Sequence, residues 1–117
     1  MKILRIDHVQ LSIPPGGEAK AREFYGTVLG LVEIPKPEAM RARGGMWFEG
    51  GLHLGVEPDM RPSTKGHPAL VVEDVAAVKA VLLAAGYEWR DAPVEEMPGV
   101  QRGHTKDPFG NRLEITE

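Results

Sequence analysis

Apolar positions in this chain fall into short alternating runs, interrupted twice by stretches of helical period. Ile3 to Ile13 is rich in β-branched residues and alternates in part, which predicts a strand. Pro14-Pro15-Gly16-Gly17 ends it, since proline lacks a ladder donor and glycine permits the turn. From Glu18 to Leu29, Ala21, Phe24, Tyr25, Val28 and Leu29 recur at helical spacing, and Gly30 is placed to cap the helix. Three short strands follow, at Leu31–Ile34, Met46–Glu49 and Leu52–Glu57. The last two are separated only by Gly50-Gly51, a two-residue hairpin signal.

After a connector rich in proline and glycine, the same order returns. His67–Val72 predicts a strand. Asp74 caps a helix over Val75–Ala85, with Val75, Val78, Val81, Leu82 and Ala85 on one face. Gly86 ends the helix, and strands are expected at Tyr87–Arg90, Val100–Lys106 and Arg112–Thr116. The chain is therefore a duplicated unit with pseudo-twofold symmetry. The expected fold class is α+β: two βαβββ modules, about 1–57 and about 67–117, in a single domain over 1–117. Their curled mixed sheets are expected to surround a central metal pocket.

A length of 117 residues suits one domain and suffices for a core without disulfides. The chain has no cysteine, which excludes disulfide frameworks, thiolate metal sites and a cysteine nucleophile. Lys2, Arg5, Asp7 and His8 interrupt the first strand, so no signal peptide is read there, and a cytoplasmic location is expected. No apolar stretch is long enough for a membrane helix. Net charge is −3 and the basic residues are scattered, so neither a membrane nor a nucleic-acid partner is expected. The expected partners are a small-molecule substrate and a second copy of the chain, because short sheets leave strand edges that need covering.

The repeat places the histidines informatively. His8 and His67 occupy equivalent places in the first strands, and His53 and Glu114 in the last. The spacing from His8 to His53 is 45 positions, and from His67 to Glu114 it is 47. Strand parity sets Leu52, Leu54 and Val56 opposite His53, and Leu113 and Ile115 opposite Glu114. Apolar residues can then meet the helices while the polar ones face a pocket. Imidazole and carboxylate ligands suit a divalent Zn, Ni, Co, Mn or Fe ion. Four protein ligands would leave open positions on such an ion for two neighbouring substrate oxygens.

These stretches together resemble the vicinal oxygen chelate superfamily, which includes glyoxalases, bleomycin resistance proteins and ring-cleaving dioxygenases. The resemblance rests on Asp7-His8-Val9, Phe24-Tyr25 with Val28-Leu29-Gly30-Leu31, Leu52-His53-Leu54, Gly66-His67-Pro68-Ala69, and Asp107-Pro108-Phe109-Gly110-Asn111 leading to Leu113-Glu114. It implies metal ligands at His8, His53, His67 and Glu114, and a proton-transferring, catalytic role for Glu114. One departure stands out. Similar bacterial glyoxalase I enzymes carry glutamate where this chain has His53, so a single carboxylate remains. The resemblance implies a metal-dependent enzyme with isomerase or lyase chemistry on a small substrate bearing vicinal oxygens. The alternatives are an antibiotic-binding or small-molecule-binding resistance protein without catalysis, and a fosfomycin-type epoxide-opening transferase. Arg102, His104, Trp47 and Arg43 are the candidate substrate-binding residues: the arginines for a carboxylate, and Trp47 and His104 as pocket wall.

Overall fold

A computed structural model describes residues 1–117. The first strand, β1, spans Val9–Ile13 and pairs in parallel with β4, Leu52–Val56. Antiparallel pairing adds β3 (Met46–Phe48) beside β4 and the two-residue β2 (Glu33–Ile34) beyond it, giving the order β1-β4-β3-β2. The second sheet repeats this plan as β5-β8-β7-β6, from β5 (Ala69–Val71), β6 (Arg90–Asp91), β7 (Arg102–Lys106) and β8 (Arg112–Thr116). The duplicated βαβββ order expected from the sequence is therefore present. The two sheets stay separate within the chain, with β1 and β5 each at a sheet edge.

The expected first strand is shorter than the apolar pattern. β4 offers five partner positions, and Met1 to His8 lies beyond them, with Ile3, Leu4 and Ile6 at 91%, 85% and 77% exposure. The helix expected over Glu18–Leu29 begins as α1, Glu18–Ala21, and continues as a π-helical segment, Arg22–Val28. There the Leu29 amide donates to the Phe24 carbonyl five residues back, at 2.9 Å, widening the coil. Ala21, Phe24 and Tyr25 are fully buried on it. A short helix at Glu38–Arg41, α2, and a 3₁₀ turn at Val94–Glu96 carry no apolar period and have no counterpart in the pattern. Helix α3, Val75–Ala84, starts at Asp74, whose carboxylate accepts from the Ala77 amide at 3.0 Å as a cap. Of its expected apolar face, Val75 and Leu82 are buried and Val78 packs against the core, whereas Val81 is 46% exposed.

One core joins the modules. Leu11, Ile13, Leu52 and Leu54 of the first sheet meet Phe24 and Tyr25 from the helix, and Leu82 and Leu113 from the second module. Phe24 meets Tyr87 edge-on with ring centroids 4.8 Å apart. The Tyr25 hydroxyl donates to Asp107 at 2.6 Å. Asn111, in the same turn, donates to the Ser12 carbonyl and accepts from the Ser63 amide, both at 2.9 Å. The Asp107-Pro108-Phe109-Gly110-Asn111 turn is thus a buried polar tie between modules as well as the lead into β8. No helix is long and apolar enough to cross a membrane.

Candidate metal and substrate site

Strand register carries the duplication down to single residues. Gln10 pairs with His53 across β1 and β4, and Ala69 pairs with Glu114 across β5 and β8. His8 and His67 each lie two positions before those partners, on the same face. Trp47 pairs with His53, as His104 does with Glu114, so these two are equivalent as well.

In the first module, the Gly50-Gly51 hairpin delivers His53. Both glycines hold φ of +86°, as a tight turn between twisted strands requires. A Cβ on Gly51 would lie 2.6 Å from the Asp7 carbonyl, so the turn also lets the chain beside His8 come close. The His53 ring is stacked between Trp47 and His8, with centroids 4.2 Å away on each side and interplanar angles of 7° and 15°. Burial, and next the neighbouring His8, push the His53 pKa below the ordinary imidazole value. His8 is half exposed, and its Nδ1 lies 3.0 Å from Asp7 Oδ2. A carboxylate accepts, so Nδ1–H donates. His8, His53, Trp47 and Met40 line a cleft of about 430 Å³. Arg43 lies on the far side of Trp47, in an adjoining hollow with Gln10 and Lys36.

In the second module, His67 Nδ1 lies 2.8 Å from the Lys65 carbonyl, and Nε2 lies 2.9 Å from Glu114 Oε1. The carbonyl can only accept, so Nδ1 carries hydrogen. Nε2 and the carboxylate oxygen are then two acceptors at contact distance. A proton shared between the two atoms, or a bound cation, reconciles them. Arg102 Nε donates to Glu114 Oε2 at 3.2 Å, and its other end reaches Glu96 at 3.3 Å. Arg102 therefore holds Glu114 through Nε and Glu96 through Nη1. Burial alone would raise the Glu114 pKa, but the hydrogen bonds from His67 and Arg102 outweigh it and hold the carboxyl below the usual range.

His104 is 8% exposed. Its Nε2 is 3.3 Å from Glu114 Oε1 but out of hydrogen-bonding alignment, so neither ring nitrogen has a partner. Burial, and next Arg112, lower its pKa. His67, His104 and Glu114 each offer a ligand atom, all within 4.8 Å of one another. The closeness of His104 to Glu114 was legible only once β7 and β8 were in register. The donor set and the Nδ1–H groups of His8 and His67 fit a divalent cation, whose histidine ligands ordinarily give their other N–H to a carboxylate or carbonyl. The four expected ligands come together as two pairs, His8 with His53 on the first sheet and His67 with Glu114 on the second; the first pair lies outside the three-residue cluster.

The sequence pattern of the Glyoxalase/Bleomycin resistance protein/Dioxygenase superfamily matches residues 5–115. Among curated proteins, none matches significantly. A glyoxalase family protein from Bacillus anthracis is 43% identical, with a TM-score of 0.92 over 100% of this chain and 97% of that one. The fosfomycin resistance protein FosX of Listeria monocytogenes is 17% identical, with a TM-score of 0.73 over 98% and 93% of the two chains. TnmS3, an antibiotic binding protein from Streptomyces sp. CB03234, is 23% identical, with a TM-score of 0.66 over 98% and 96%. The last two likenesses are of fold.

Proposed function

The chain belongs to the glyoxalase/bleomycin resistance protein/dioxygenase superfamily, and we propose that it is a divalent-metal-dependent enzyme of glyoxalase-like type, with isomerase or lyase chemistry on a small substrate bearing vicinal oxygens. His8, His53, His67 and Glu114 hold the ion. The observation that carries this reading is the matched anchoring of His8 and His67. Each gives Nδ1–H to an oxygen, His8 to the neighbouring Asp7 carboxylate and His67 to the Lys65 carbonyl, leaving Nε2 as the nitrogen available to an ion. When bound, a divalent ion supplies Lewis-acid stabilisation of negative charge on two adjacent substrate oxygens.

The residues around it have separate tasks. Arg102 fixes one oxygen of Glu114, leaving Oε1 to accept or return a proton. Trp47 packs flat on His53, orienting the ring and keeping water from one face of it. The low pKa of His53 keeps that imidazole neutral near neutral pH, the form a ligand needs.

A second copy of the chain completes the site. The two pairs stand on sheets that do not join within one chain, and β1 and β5 present open edges. The arm from Met1 to His8 exposes Ile3, Leu4 and Ile6, and Val71 on β5 is 79% exposed. Edges and apolar residues of this kind are ordinarily covered. A symmetric dimer would bring His8 and His53 of one copy to His67 and Glu114 of the other, twice. Elemental analysis of untagged protein tests the reading. It predicts one tightly held divalent ion per chain, lost in His8→Ala/Glu114→Ala. Tight stoichiometric metal in that double variant would overturn it. A non-catalytic binder of small molecules is the second reading, supported by the open cleft beside Trp47. It predicts ligand binding without turnover in a screen of hemithioacetals, epoxides and catechols.

A further inference from the structure

The face of the second sheet that carries Glu114 holds more positive charge than its metal ligands use. Arg90 pairs with His104 across β6 and β7, and Lys106 pairs with Arg112 across β7 and β8. Period-two alternation sets Lys106, His104, Arg112 and Glu114 on one face. A recess of about 320 Å³ opens among Arg90, His104, Lys106, Arg112, Thr64 and Glu88, with Thr105 beside them and no hydrophobic residue in its wall. Glu88 is the one carboxylate there.

These cations are not compensated. Arg22 and Arg102 are ion-paired, but Arg90, Lys106 and Arg112 are in no ion pair. The Nε–H of Arg112 is buried without an acceptor, and both ring nitrogens of the buried His104 are also unpartnered. Buried polar groups are ordinarily satisfied, and a missing partner calls for an explanation. Three like charges around one recess also repel, at a cost to stability that an incoming anion relieves.

We infer that this recess binds an oxyanion carried by the substrate: a phosphate, phosphonate or carboxylate group. Arg112 and Arg90 supply planar donors suited to such a group, and Lys106 adds a point charge. His104 lines the recess and also stands 3.3 Å from Glu114, so an anion held here lies next to the proposed metal ligands. The assignment narrows the substrate to a small anionic molecule whose vicinal oxygens sit beside its charged end. Its place in catalysis rests on the metal reading above, but the recess itself does not need the metal.

The test is titration of metal-free protein with inorganic phosphate, methylphosphonate and acetate, followed by the side-chain signals of Arg112 and His104 in ¹H–¹⁵N spectra. Saturable shifts are expected. Arg112→Gln and Lys106→Gln should each weaken binding by about tenfold or more, the scale of a lost charge-assisted hydrogen bond, while zinc binding is retained. Arg90→Gln, at an exposed position on the short β6, repeats the test should the others fold poorly. Saturation by the phosphorus oxyanions alone, or by acetate alone, identifies the group, and either supports the assignment. No saturable binding of any of the three, or binding that these variants leave unchanged, overturns it. Wild-type protein that binds the anion but takes up no divalent metal would overturn the metal reading and leave the recess standing.

Discussion

Glu114 Oε1 lies 2.9 Å from His67 Nε2, although the Lys65 carbonyl already claims the hydrogen on Nδ1 of that ring. A bound cation would take the place between those two atoms. Imidazole and carboxylate ligands must be deprotonated to bind a metal, so binding displaces protons. Metal uptake should therefore release protons. Calorimetry of zinc binding in buffers of different ionisation enthalpy should give a buffer-dependent heat; identical heats would mean that no proton leaves.

The positioning of Glu114 by Arg102 has its own consequence. Arg102→Leu removes the donor from Oε2 and leaves a partly buried carboxylate with one fewer partner. Losing a group that orients a ligand ordinarily costs about 10- to 100-fold in metal affinity. Competition with a chelator would measure this, and unchanged affinity would remove Arg102 from the site.

Stability should fall on acidification. The pKa values of His53 and His104 are lowered, mainly by burial, and that of Glu114 is lowered because His67 and Arg102 outweigh burial. A depressed folded-state pKa contributes stability above the unfolded value and loses it as pH falls through the folded value. The histidine contribution is therefore intact above about pH 6.5 and the carboxylate contribution above about pH 4.3, each declining below. Urea midpoints measured with chelator present should drop from pH 7.5 to pH 5, and more weakly in His53→Phe. A flat profile would contradict the assigned shifts.

The polar tie between modules is open to a direct probe. Tyr25→Phe removes the 2.6 Å bond to Asp107, a carboxylate only 4% exposed, and should cost about 1–3 kcal/mol in urea unfolding. A loss near zero would mean that water or a rearranged Asn111 fully replaces the hydroxyl.

Much of this arrangement was legible in the residues, and some was not. Gly50-Gly51, Asp74 and the alternation around His53 and Glu114 are local signals, and the hairpin, the cap and the strand faces follow them. The Ile3–Ile13 pattern overran its strand because pairing ends where β4 ends, a tertiary limit. The hydrogen bonds of Arg102 to Glu114 and Glu96 depend on how β7 sits against its neighbours, which the sequence does not reveal. The partnerless state of His104 and Arg112 likewise depends on what the neighbouring strands fail to offer. The placement of the two expected ligand pairs on sheets that do not join is a matter of packing between modules, to which period and spacing are blind.

The central claim is that a metal site is built from His8 and His53 of one copy and His67 and Glu114 of another. Complementation tests it most directly. His8→Ala/His53→Ala and His67→Ala/Glu114→Ala are each prepared, then unfolded together in equal amounts and refolded. Each variant alone should hold no tight zinc. In the mixture half the dimers pair one of each, and each such dimer regains one site of two, so tight zinc should return to about a quarter of the wild-type content. No recovery in a mixture proven to exchange subunits would contradict the account, as would tight zinc in His8→Ala/His53→Ala alone, which would assign the ion to His67, His104 and Glu114 within one chain.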